Sequence, residues 1–202
     1  IYPMQIMSVQ SRIVVSHIMH GGIFYADPLH SPHLYSLDDP TENLNEGFVR
    51  GYTYMMDKMK SIGIIDPLMT TPIWGWYAYP SYDPSLSDLE ALVDSTGEDD
   101  MVLLLDVPDD LVLLSDFDGF HCVLNGYAAT DLRACQCDIP EVVDEEWNLC
   151  PDCLESINMD DPGDIKKSWV HIFDIDALDK DAYIQAVFPR IETEWVIKVI
   201  DR

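Results

Sequence analysis

Residues 101–125 read MVLLLDVPDDLVLLSDFDGFHCVLN, two apolar runs followed by a helical pattern. Met101–Val107 and Leu111–Leu114 are apolar runs of strand length around Pro108-Asp109-Asp110. Ser115 or Asp116 is then placed to cap a helix through about Asn125, with Asp116 and Asp118 in its first turn, where the helix dipole favours anions. Toward the N-terminus, Met4–Gln10 reads as a short strand, Ser11 as the cap of a helix to about His20, and Gly21-Gly22 as its stop. Asp27 to Asn45 has no periodicity and reads as a loop. A helix is expected from about Glu46 to Ile62, because Phe48, Tyr52, Met55, Met56, Met59 and Ile62 fall on one face, and Gly63 closes it. Pro72–Tyr79 is an aromatic strand, ended by the Pro80–Pro84 turn. Its alternation puts Trp74 and Trp76 on one side and Ile73, Tyr77 and Tyr79 on the other. Toward the C-terminus, Ile165–Phe173 is an expected helix, and Tyr183–Phe188 and Trp195–Ile200 are expected strands. The mixture predicts an α+β fold, a single domain over residues 1–202 with a small central sheet and flanking helices.

Composition bounds what such a domain can do. The chain has 202 residues, 37 Asp+Glu against 11 Lys+Arg, and a formal charge of -26. At 48% hydrophobic residues it is too apolar for a disordered acidic tail, so the charges belong on the surface of a folded object. Six Lys and five Arg scattered along the chain form no basic stripe, which argues against direct binding to nucleic acid or to an anionic membrane. A basic protein is the partner this charge would suit. No apolar run reaches the roughly 18–20 residues of a membrane span, and the start lacks the layout of a signal peptide. A soluble, cytoplasmic protein is expected.

Four of the five cysteines stand as Cys135-x-Cys137 and Cys150-Pro-Asp-Cys153. Two short pairs let neighbouring thiolates converge on one ion, and four thiolates close a tetrahedral shell, so a structural zinc knuckle inserted at residues 134–154 is expected. Chance clustering and reactive thiols are the alternatives. Cys122 stands apart on a predicted helix and reads as a small core residue. His17-x-x-His20 and His30-x-x-His33 form a weaker pattern, in which surface imidazoles are the competing reading. Asp116 and Asp118 carry oxygen ligands suited to a hard cation, although N-capping explains both. No P-loop, GxGxxG, nucleophile elbow or HExxH is present.

Met7-Ser8-Val9-Gln10, Tyr52–Met59, Pro72-Ile73-Trp74-Gly75-Trp76-Tyr77, Val107 to Asn125, Lys167-Ser168-Trp169 with Ile172-Phe173-Asp174, and Ile184-Gln185-Ala186 with Phe188 form a set of long, specific runs. Together they resemble a bacterial and phage family, the domain of unknown function numbered three-eight-four-one. The likeness covers most of the chain. Where the family pattern has Trp-Glu after the late strand's Phe, this chain has Pro189-Arg190, with Glu192 and Glu194 displaced. The family's central WHY is Phe120-His121-Cys122 here.

The order of elements further resembles the split, half-open sheet of ADP-ribosyltransferases, a fold-level analogy. That resemblance implies an NAD-related domain, with reduced or lost activity where the late acid is missing. It assigns Ser8 or Gln10 to the nicotinamide ribose, Trp76 or Tyr77 to stacking on nicotinamide, and Gln185 to the ribose hydroxyl. His121 is a candidate general base if it faces a cleft, against the alternative of a packed imidazole. The rival expectation is a non-enzymatic, strongly acidic interaction protein: a nucleic-acid mimic or anti-defence factor, or a component of a larger viral or cellular assembly.

Overall fold

The computed structural model describes residues 3–31, 34, 45–129 and 157–202. The chain falls into two compact units, Ile1–Leu114 with Tyr183–Arg202, and Ser115–Ala182. The fold is α+β, with one six-stranded antiparallel sheet and, among the described residues, five α-helices.

The elements are β1 (Pro3–Ser11), α1 (Arg12–Met19), α2 (Glu46–Ser61), β2 (Ile73–Ala78), α3 (Asp88–Ser95), β3 (Asp100–Pro108), β4 (Leu113–Asp116), α4 (Phe117–Asn125), α5 (Pro162–Ser168), β5 (Ile184–Phe188) and β6 (Val196–Ile200). The strand order is β4-β5-β2-β1-β3-β6. The sheet is continuous, which corrects the expectation of a split one. β1 holds it together, pairing with β3 on one edge along its whole length, from Pro3 opposite Pro108 to Ser11 opposite Asp100, and with β2 on the other. The β1–β2 seam is narrow, its register resting on Met7 opposite Trp76.

Strand alternation divides the side chains of the first unit between two apolar layers. One layer joins Ile6, Ile73, Leu103, Leu105, Ala186 and Phe188 of the sheet to Val15 and Ile18 of α1. The other joins Met7 and Val102 to Leu92 of α3, with Trp76, Tyr79, Leu104 and Val93 packed alongside. Full burial of side chains such as Leu103 and Phe188 stabilises the fold by about 1.5–3 kcal/mol each. Gly75 makes the seam possible. A Cβ there would stand 2.5 Å from Ile6 Cγ2 and 2.9 Å from the Met7 carbonyl oxygen, so β1 and β2 approach at a spacing no larger residue allows.

The helices start where side chains satisfy their first amides. The Ser11 hydroxyl accepts from Val14 N, and the Asn45 side chain accepts from Gly47 N and Phe48 N. Apolar periodicity does not predict α3. Its signal is the capping box Ser87-x-x-Glu90, in which the Ser87 hydroxyl accepts from Glu90 N and the Glu90 carboxylate accepts from Ser87 N.

In the second unit, Asp116 caps α4, and Gly126, at φ 72°, ends it in the left-handed region. The expected helix over residues 165–173 begins earlier, at Pro162, and tightens to a 3-10 turn over Trp169–Phe173. Around that change, Ser168 Oγ accepts from Ala129 N and Trp169 Nε1 donates to the Tyr127 carbonyl at 2.7 Å. The zinc-knuckle expectation, with Cys135, Cys137, Cys150 and Cys153, falls outside the described residues. No helix among the described residues is long and apolar enough to cross a membrane.

Candidate functional site

The site is built by an irregularity in β2. Trp76 pairs with Gln185, but the next pair is Ala78 with Ile184, so β2 carries one extra residue. Tyr77 sits at this bulge and stays 46% exposed. Beyond it the alternation is reversed, and Tyr79 emerges on the same face as Trp76, with ring centroids 5.0 Å apart and nearly perpendicular. This corrects the expectation that Tyr79 shares a side with Tyr77 and Ile73. A regular strand flips every side chain, and one inserted residue resets the phase.

Tyr183, just before β5, completes the group at 6.1 Å from Trp76 and 5.1 Å from Tyr79, both edge to face. Such pairs are each worth about 0.5–1.5 kcal/mol beyond the area they bury. Tyr79 is further fixed by its backbone N–H, which donates to Asp88 Oδ2 at the start of α3. All three rings are half-buried. Gln185 lies directly opposite Trp76 and is 4% exposed, a primary amide held inside the sheet beside the aromatic group.

Ser8 and Gln10 belong to the other layer. Ser8 alternates with Met7, so it shares a face with Ile6, whereas Gln185 alternates with Ala186 and shares a face with Trp76 and Met7. The expected site in which Ser8 or Gln10 joins Gln185 is therefore not formed: strand periodicity puts the two sets on opposite faces of the sheet. Ser8 is fully buried, donates to the Trp74 carbonyl at 2.8 Å and accepts from Gln10 Nε2 at 2.9 Å. This chain of hydrogen bonds closes the β1–β2 seam.

The end of β5 carries no accessible acid in the family's position. Arg190 stands there, donating to Asp66 Oδ2 at 2.8 Å and to Glu192 Oε1 at 2.5 Å, with its guanidinium 5.3 Å from the Trp195 ring centroid. Tyr25 also donates to Asp66, and burial first, then the Asp66 charge, raises its phenol above the ordinary value. Glu192 is thus tied into an ion cluster, and Glu194 is exposed.

His121 lies on α4 in the second unit, its Nδ1 2.9 Å from the Phe117 carbonyl and its ring perpendicular to the Phe117 ring. The Asp116 carboxylate accepts from Asp118 N and Gly119 N. Burial pushes the Cys122 thiol up to about 11, the Asp116 and Asp118 carboxylates adding to the effect, so it stays protonated and packed. Among the described residues no group of three or more His, Cys, Asp or Glu could hold a metal. His17 and His20 are exposed, and His30 pairs with Asp27 at 3.1 Å.

The site therefore gathers Trp76 and Gln185 as anticipated, leaves Tyr77 outside the aromatic group, and adds Tyr79 and Tyr183. The bulge has no signature in the sequence, because Tyr77-Ala78 is compatible with a regular strand. Neither a curated protein nor a solved structure matches the chain. A family model does, over residues 5–197, and the chain belongs to the family described as Domain of unknown function (DUF3841).

Proposed function

We propose that this chain is an NAD-related binding domain without an ADP-ribosyltransferase site, since Ser8 and Gln185, which such a site would bring together, lie on opposite faces of the sheet. The observation that carries the reading is the aromatic group of Trp76, Tyr79 and Tyr183, partly open to solvent beside the strand pair in which Gln185 lies opposite Trp76. Partly exposed aromatic rings suit a planar heterocycle. Loss of chemistry is supported by the neighbours. The Ser8 hydroxyl is committed to the seam on the opposite face, and Glu192, the displaced carboxylate, is engaged by Arg190. A transferase needs an anion near the developing cationic ring, and β5 offers an amide instead.

Native mass spectrometry of the untagged protein with and without NAD tests this, beside a labelled-NAD transfer assay. The expected result is a one-to-one NAD adduct, lost in Tyr183→Leu with the fold retained, and no label transferred. Absence of any adduct overturns the reading. The same spectrum reports the proposed structural zinc on Cys135, Cys137, Cys150 and Cys153, expected as one ion that Cys150→Ser removes.

The second reading is an acidic interaction protein with a basic partner. It is supported by the excess of acid and by the pairing of cations with the chain's own carboxylates, Arg12 with Asp201 and Lys167 with Asp164 at the surface, and Arg190 with Asp66 and Glu192. Glu98 and Asp99 precede β3 while Asp109 and Asp110 follow it. Acid thus stands at both ends of a strand about 30 Å long, a dispersal that serves solubility better than one mimetic face. Charge mimicry predicts capture of a basic nucleic-acid-binding protein that is released by competing DNA.

A further inference from the structure

We propose that the outer edge of β6 takes up an added strand from a basic protein, pairing along Ile197–Ile200. This rests on the reading of the chain as an acidic interaction protein and names where its partner binds. It is independent of the NAD-related reading.

β6 is an outer strand of the sheet, with β3 on its inner side. Among the described residues, the backbone of Ile197–Ile200 bonds to β3 alone. Alternate amides and carbonyls of the segment therefore point away from the sheet, where one more strand can pair with them. The side chains agree with this. Ile197 is 47% exposed on one face of the sheet, and Lys198 is exposed on the other.

Charge selects the occupant. Lys198 stands at the midpoint of β6, so a two-fold pairing of two β6 strands about it sets like charges directly opposite. Each copy would also bring a formal charge of -26 to the contact, which disfavours a second copy of this chain. Acid lies beyond both ends of the strand. Glu194 precedes β6, and Asp106, Asp109 and Asp110 follow Leu105, which pairs with Val196. At the other end Val102 pairs with Ile200, and Glu98, Asp99 and Asp100 lead up to it. Arg12 and Arg202 also lie at that end, bonded to Asp201 and to the Thr96 carbonyl, so the less compensated acid is at the Glu194 end. The strand that fits carries an acid opposite Lys198, apolar residues opposite Ile197 and Val199, and Lys or Arg toward Glu194.

An NMR titration of the isotope-labelled full chain at low salt tests this with synthetic peptides. Acetyl-Thr-Val-Glu-Val-Thr-Lys-Arg-amide, laid antiparallel to β6, sets Glu opposite Lys198, Val opposite Ile197 and the basic pair at Glu194. Its charge-swapped form carries Lys for Glu and Glu-Glu for Lys-Arg. The first peptide is expected to shift the amides of Ile197–Ile200 and to bind at least about fivefold more tightly than the swapped one. Lys198→Glu, at an exposed position, should weaken the first peptide by about two- to fivefold. Two further versions decide whether backbone pairing is involved. N-methylation of both Val residues blocks one edge of the peptide, and N-methylation of Glu and the Thr after the second Val blocks the other. One version should lose binding and the other keep it.

Equal binding of the two methylated versions overturns strand addition while leaving a charge-driven association in place. Equal binding of the first peptide and its charge-swapped form overturns the charge selection and the proposal with it. Amide shifts along Ile197–Ile200 that depend on the concentration of the protein alone assign the edge to a second copy and overturn the proposal. Absence of binding by every peptide overturns it too, and the parent reading is then judged separately by capture of a basic nucleic-acid-binding protein.

Discussion

At the scale of single residues, polar groups act as fasteners: Ser8 closes the β1–β2 seam where a ligand contact was expected, and Asp116 caps α4 as its place in the sequence predicts. Asp116 is the clearest case, since its carboxylate holds the first amides of α4. Burial raises its pKa above the ordinary carboxyl value, with the Gly119 and Asp118 amides pulling the other way and the Asp118 charge adding to the rise. A raised native pKa means that the folded state binds the proton more tightly than the unfolded chain. Stability therefore falls as pH rises from the unfolded value of about 3.9 through the native one. Asp116→Asn keeps a capping oxygen without the buried charge. We expect urea unfolding to find this variant at least as stable as the parent at pH 7, with any advantage vanishing near pH 3. A variant weaker at pH 7 would show that the ionised cap is worth more than its burial costs.

At the scale of elements, one inserted residue in β2 decides which aromatics meet. Without the bulge, Tyr79 would project into the layer of Ile73 and Phe188. Tyr77→Ala removes an exposed ring and should change stability by less than about 0.5 kcal/mol. Deleting Tyr77 should cost about 1–3 kcal/mol, because both edge-to-face contacts of Tyr79 are lost together. Urea denaturation followed by tryptophan fluorescence separates the two outcomes. A deletion as mild as the substitution would mean that the bulge does not set the phase. α3 makes the complementary point, since its capping box Ser87-x-x-Glu90 is legible in the sequence while its short apolar stripe is not.

At the scale of the whole molecule, charge acts between groups that never touch. With 37 acids against 11 bases, the folded chain repels itself at low ionic strength. Raising NaCl from 10 mM to 0.5 M should increase the melting temperature by several degrees, on the order of 5 °C, as screening relieves that repulsion. Differential scanning calorimetry checks this, and an unchanged transition would mean that the acids are too widely spaced to interact.

The types of most elements were legible in the sequence, because apolar period, caps and glycine stops are local properties of the chain. Met4–Gln10, Glu46–Ile62, Met101–Val107 and Phe117–Asn125 are all readable in this way. The sequence also carried the family, through long runs of specific residues. Which strands adjoin and which face each residue occupies became visible only once the chain was folded. Gln185 meets Trp76 because β5 lies beside β2, a pairing between residues more than a hundred positions apart. Ser8 and Gln185 part company because the alternation of two separate strands must be phased through their partners. That phase is set by ladder register and by one bulge, and neither is encoded in any local window of sequence.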